Sequence, residues 1–178
     1  MLAIFGLSSL LLLTWAVPSA TAAGPWRGQI VDAETKAPLE GVVVLAVWWK
    51  ATRSFGGPSE EYHASEEVLT DQDGRFSIAA LTFWSLNPLV HFKGPEFLFF
   101  RPGYGRAWPE DKSRAVGTYA KLLQGDGIVL GMPVLRTLEE RKEYLKDVRS
   151  AFETVPLERT PLLKKAITDE RRAVGYGG

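Results

Sequence analysis

The sequence predicts a mostly β body followed by a helical C-terminal tail. Three observations carry that expectation. Residues 42–49 form an unbroken β-branched and aromatic run. Around it, short apolar stretches are separated by turns rich in Gly, Pro and Asp. After residue 136 the apolar period changes from that of a strand to that of a helix.

Taken in order, residues 24–31 read as a short strand, and Asp32-Ala33-Glu34-Thr35-Lys36-Ala37-Pro38 is a polar, punctuated turn. Val42-Val43-Val44-Leu45-Ala46-Val47-Trp48-Trp49 is too continuous to own a solvent face, so a central strand covered on both sides is expected. Residues 51–61 contain Gly56-Gly57-Pro58-Ser59 without periodicity and read as a loop. Tyr62 to Leu69 is a candidate for the next strand. Thr70-Asp71-Gln72-Asp73-Gly74 is a tight turn, and Arg75-Phe76-Ser77-Ile78 alternates like a half-buried strand. Residues 81–94 are aromatic and apolar but broken by Asn87-Pro88 and Gly94-Pro95, and the pattern assigns them no element. Residues 96–101 read as a strand closed by Pro102-Gly103-Tyr104-Gly105. The stretch 106–125 reads as a long excursion. Residues 127–135 read as a last strand, with Gly131 and Pro133 arguing for an edge or a bulge.

Thr137-Leu138-Glu139-Glu140 is a capping box, with Leu138, Leu145, Val148 and Phe152 on one helical stripe. Thr160-Pro161 reads as a cap with proline at the first helical position, and Leu162, Leu163, Ala166 and Ile167 can bury one side of a second helix. The pair can lie on a sheet face or form a hairpin. Exposure of Leu138, Leu145 and Phe152 would indicate a missing partner.

Residues 1–22 have the grammar of a secretory signal peptide: an apolar run to Val17 including Leu10-Leu11-Leu12-Leu13, then Pro18-Ser19 and the small-x-small site Ala20-Thr21-Ala22. Cleavage is expected after Ala22, with Ala23 as the second choice. An uncleaved anchor is the alternative, although the run is at the lower limit for spanning a bilayer. No cysteine stands at the site to accept a lipid. The expected organisation is a leader at 1–22, a β domain at 23–136 and a helical extension at 137–178. Location is then secreted or periplasmic, with no stable membrane span after cleavage.

Composition removes several function classes. Twenty-one basic and 21 acidic residues give zero formal net charge, against the basic excess expected of a nucleic-acid binder. The absence of cysteine removes disulfides, thiolate zinc sites, iron–sulfur ligation and a Cys nucleophile.

Three stretches together resemble a family. Gly28-Gln29-Ile30-Val31-Asp32 with Thr35, Pro38-Leu39 and Gly41-Val42-Val43-Val44 is similar to the opening of carboxypeptidase regulatory-like domains. Thr70-Asp71-Gln72-Asp73-Gly74-Arg75-Phe76-Ser77-Ile78 looks like their second hallmark, and Phe99-Phe100-Arg101-Pro102-Gly103-Tyr104 like their third. The resemblance spans residues 28 to about 105. It implies a transthyretin-like (prealbumin-like) Greek-key β-sandwich of about seven strands. It also implies a non-catalytic accessory or adhesive role of the kind found on bacterial secreted and envelope proteins. Physically, Gly28 and Gly41 suit close approach or unusual backbone, Asp71 and Asp73 can bond amides of their own turn, and Tyr104 can staple a corner.

Chemical constellations are sparse. His63-Ala64-Ser65-Glu66 has a His-x-x-Glu spacing, but metal catalysis needs a third protein ligand and His91 is the only other histidine. A polar strand edge is the preferred interpretation. Asp71-Gln72-Asp73-Gly74 starts like a calcium loop, yet its twelfth position is Thr82 rather than a bidentate glutamate. No nucleophile elbow accompanies the serines, and Tyr176-Gly177-Gly178 does not match the C-terminal motif of transthyretin-like enzymes that open purine-derived rings. No metal, cofactor or catalytic residue is expected.

The aromatic set is richer. Trp48 and Trp49 are adjacent on a strand and face opposite ways, so one of them is a candidate for a surface. Trp48, Trp49, Trp84 and Trp108 are the candidate ligand-binding residues. The expected function is a non-catalytic module for protein interaction or structural support in the cell envelope. The alternative is carbohydrate or small-ligand binding through exposed tryptophans, and an unrecognised hydrolase is the third option.

Overall fold

A computed structural model describes residues 24–111, 118–125 and 127–176 of the chain. The expected leader and its cleavage point after Ala22 lie outside the described residues, as do Gly177 and Gly178.

Among the described residues seven strands form two sheets. Strands β1 (Trp26–Asp32), β4 (Arg75–Ile78), β6 (Trp108–Pro109) and β7 (Val129–Met132) make one sheet in the order β4-β1-β7-β6. Strands β2 (Val43–Ser54), β3 (Gly57–Leu69) and β5 (Val90–Phe100) make the other, in the order β3-β2-β5. The short helix α1 (Tyr119–Leu122) precedes β7, and α2 (Leu138–Ala151) and α3 (Pro161–Ala173) close the chain. All neighbouring strands are antiparallel except β1 and β7. No helix among the described residues is long and apolar enough to cross a membrane.

The central strand has the two-sided burial its composition predicts. Val42, Val44, Ala46 and Trp48 face the other sheet and share a core with Trp26, Ile30, Phe76, Leu130, Phe97 and Phe99. Val43, Leu45 and Val47 face away and pack with Leu98 and Phe100 against Leu145, Val148, Leu163 and Ala166 of the two helices. The layers are therefore sheet, sheet, helices, with β2 in the middle. Alternation on one strand supplies both interfaces.

Several sequence expectations need correction. The stretch 51–61 is not a loop: β2 runs on to Ser54 and β3 starts at Gly57, leaving Phe55 and Gly56 at the hairpin tip. Periodicity failed there because β3 is a sheet edge and its first residues are exposed on both faces. Residues 81–94 divide into a crossover between the sheets and the first part of β5. The last strand is shorter than expected and lies between β1 and the two-residue β6, inside what read as an excursion.

The helices also differ in detail. The α2 capping box is present: Glu140 N–H donates to Thr137 Oγ1 at 3.2 Å and Thr137 N–H to Glu140 Oε2 at 3.0 Å. Leu145 and Val148 are buried and Phe152 half-buried, while Leu138 stays exposed. Thr160 does not cap α3 with its side chain, and its buried hydroxyl has no partner among the described residues. Glu67 of β3 takes that role, its carboxylate accepting from the N–H groups of Leu162 at 2.9 Å and Leu163 at 2.8 Å. A carboxylate at a helix N-terminus meets both free amides and the positive end of the dipole.

Candidate functional site

The residues of the three motif stretches gather at one end of the sandwich, where β1 ends and β2 begins. Asp32 is the centre of this end. Its Oδ1 accepts from Glu34 N–H and Thr35 N–H, both at 2.8 Å, and its Oδ2 from the Tyr104 hydroxyl at 3.3 Å. The Thr35 N–H, then the Glu34 N–H and the two hydroxyls, hold this carboxyl below its ordinary value despite the opposing effect of burial. The Tyr104 hydroxyl thus staples its corner to a carboxylate. Thr70 Oγ1 accepts from Val42 N–H at 2.9 Å and donates to the Leu39 carbonyl at 2.6 Å.

Asp71 closes its own turn by accepting from Asp73 N–H and Arg75 N–H. Its Oδ1 is committed to the backbone, as a turn residue requires. Gly74 has φ +70°, and a Cβ there would collide with the Ile30 carbonyl oxygen. Pro38 bridges Val31, Gly41 N–H donates to the Thr70 carbonyl, Gly28 lies against the Phe76 ring, and Phe76 is buried. Gly103 N–H donates to Glu170 Oε2 at 3.1 Å, and Arg141 binds the same carboxylate through two bonds of 2.7 Å. That buried bidentate pair ties α2, α3 and the glycine–tyrosine corner together. The Asp32 carboxylate, the Thr70 hydroxyl, Asp71 Oδ1 and the Glu170 carboxylate are all used internally, so these residues build the fold.

The candidate tryptophans do not converge. Trp48 is buried in the core, edge-on to Trp26 at 5.8 Å and to Phe83 at 6.0 Å, so it presents no face to a ligand. Trp49 is half-buried against Tyr62 on the helix side of the sheet. Trp84 is 70% exposed in the crossover between β4 and β5. Trp108 is 55% exposed on β6, with the Arg106 guanidinium 5.3 Å from its ring centroid. His63 sits between the rings of Phe83 and Phe92, each 4.6 Å away.

A different place offers a concave surface. A cleft of about 850 Å³ runs along residues 94–99 of β5, lined by Tyr119 of α1, by Tyr144 and Val148 of α2, by Phe152 just after that helix, and by Arg106. The register fixes which backbone groups face it. Val42 exchanges bonds with Thr70 on the β3 side, so by alternation Val44 and Ala46 also point to β3. Their partners across the β5 ladder, Phe99 and Phe97, therefore turn their peptide groups away from β2 and into the cleft. The Tyr144 hydroxyl confirms this by donating to the Phe99 carbonyl at 3.3 Å. Burial pushes Tyr144 up to about 12 and raises Tyr119, so both phenols keep their protons and act as donors at neutral pH. Tyr119 uses its proton on the Ala107 carbonyl. The Phe99 N–H and both peptide groups of Phe97 have no partner among the described residues.

Sequence reasoning missed this cleft. The only local signal was Pro95 in an apolar stretch, since proline is confined to sheet edges and bulges. The walls come from α1 and α2, which are distant in sequence. Comparison with known proteins finds no matching family model, no matching curated protein and no matching solved structure.

Proposed function

We propose that the protein is a secreted or periplasmic, non-catalytic β-sandwich module that holds a segment of a partner protein as an added strand on the free edge of β5. The observation that carries this is that the N–H and C=O of Phe97 and the N–H of Phe99 line the cleft without a partner among the described residues, while the Phe99 carbonyl takes only the Tyr144 hydroxyl. Main-chain pairing at such an edge supplies affinity, and the walls on either side select side chains. The aromatic and aliphatic walls favour an extended peptide with apolar side chains at alternate positions. The apolar leader at 1–22 supports the location outside the cytoplasm.

The carboxypeptidase regulatory-like, Greek-key assignment belongs to the same proposal. It is supported by the chain order, which passes from β1 to the opposite sheet for β2 and β3, back for β4 and over again for β5. It is supported too by the clustering of the motif residues around Asp32 and Thr70.

A screen of random extended peptides against the full chain tests the proposal. A selected peptide should lose binding when its backbone amides are N-methylated at alternate residues in one phase and keep it in the other. It should also lose binding to Ala151→Trp, a change at an exposed residue on the cleft wall. Equal binding by Ala151→Trp, or indifference to N-methylation, overturns the strand-addition site. Carbohydrate binding is the second reading, favoured by the exposed ring of Trp108 beside Arg106. Quenching of tryptophan fluorescence by glycans, abolished in Trp108→Ala, would support it.

A further inference from the structure

The end of the three-stranded sheet furthest from Asp32 is built differently from the rest. Among the described residues no strand opposes the sheet beyond Trp48, because β1 and β4 finish at the Trp26–Ile78 pair. The hairpin tip and the crossover 81–89 meet here, joined by Arg53 N–H donating to the Leu89 carbonyl at 2.9 Å. Phe83 anchors the crossover by packing on Trp48, His63 and Phe92. Its neighbours are left outside: Phe55 is fully exposed, Leu86 is 90% exposed, and Trp84 and Leu89 lie more than half in solvent.

The charge pattern of this end is equally one-sided. No Asp or Glu occurs in residues 50–59 or 75–95. Lys50 and Lys93 are paired with Glu61 and Glu60 of β3, at 2.7 Å and 3.1 Å. Arg53 has no carboxylate partner among the described residues. In a chain of zero net charge, this leaves one end with a cation, aromatic and aliphatic side chains, and small polar residues between them.

We infer that this end docks on an anionic bilayer, with Phe55, Trp84, Leu86 and Leu89 entering the headgroup–acyl boundary and Arg53 meeting lipid phosphates. The chemistry matches what an interface rewards. Trp and other apolar side chains settle at the boundary, and long cationic side chains reach back to the headgroups. Glu61 and Glu60 of the hairpin are offset by Lys50 and Lys93, so this end presents the surplus positive charge of Arg53 to an anionic surface. This docking uses a surface separate from the β5 cleft and goes beyond the proposed peptide binding.

The lack of cysteine makes a local test direct. Leu86→Cys and, as reference, Lys164→Cys on α3 are labelled in the full chain with an environment-sensitive fluorophore. Both are titrated with phosphatidylcholine vesicles containing about one quarter phosphatidylglycerol. The Leu86 label should shift to the blue and brighten about threefold or more, while the Lys164 label stays as in water. Adding Phe55→Ser and Trp84→Ser should raise the lipid concentration needed for half the change by about tenfold. Arg53→Ala should raise it by less and narrow the difference from pure phosphatidylcholine. An unchanged Leu86 label, or equal shifts at both labels, overturns the inference. So does a shift that follows protein concentration without lipid, which would assign the surface to a second copy of the chain.

Discussion

The two ends of the sandwich use their residues in opposite ways. At the Asp32 end, the carboxylates and hydroxyls of Asp32, Thr70 and Asp71 bond back to the chain, and the exposed apolar side chains beside them are limited to partly covered ones such as Leu69 at 49% and Val134 at 38%. At the Phe55 end, the turns carry large apolar side chains with nothing to cover them. A fold needs the first arrangement, because buried polar groups must be satisfied and tight turns need their donors and acceptors. Folding gains nothing from the second, since side chains left in water contribute no burial. The difference separates residues that specify the structure from residues kept for something outside it.

Mutations should sharpen that contrast. The largest loss is expected from Glu170→Gln, which leaves the Arg141 guanidinium without its carboxylate and should cost about 3 kcal/mol in urea unfolding. Gly74→Ala should cost about 2–3 kcal/mol by the same measurement, since a Cβ at positive φ meets the Ile30 carbonyl. Asp32→Asn should cost about 1–2 kcal/mol through weakened bonds to Glu34 and Thr35 N–H and to Tyr104.

That last variant carries a pH signature. The Asp32 carboxyl is held below its ordinary 3.8 in the folded chain, so its contribution is complete above that value and disappears as pH falls through the lowered one. Stability curves of the parent and Asp32→Asn should therefore converge in acid. A gap that persists unchanged at the lowest pH would show that Asp32 acts by shape alone. At the other end, Phe55→Ser and Leu86→Ser should move unfolding by no more than about 0.5 kcal/mol. A loss of several times that would break the comparison, because it would make those side chains structural.

The sequence made parts of this legible. The two-faced burial of β2 followed from its unbroken apolar run, and the α2 start from Thr137 and Glu140 alone. Both signals are local. The turn at Thr70–Gly74 was visible for the same reason. What stayed hidden depends on partners far along the chain. The extension of β2 into a long hairpin could not be read because β3 is an edge strand with polar residues on both faces. The assignment of Trp48 to the core and Trp84 to the surface required knowing where the opposing sheet stops. The cleft needed three elements, and no spacing within any one of them announces it.

The Glu67 carboxylate has a consequence for the order in which the chain assembles. It satisfies the first amides of α3 from a strand 95 residues earlier, while the threonine next to the helix contributes no side-chain bond. A fragment holding only the tail would start that helix with its leading amides open to water. Helix α3 then gains this cap only once β3 is in place, so part of its stability is tertiary rather than local. Loosening the edge strand would therefore reopen the start of the helix, while Leu163, Ala166 and Glu170 still hold its body.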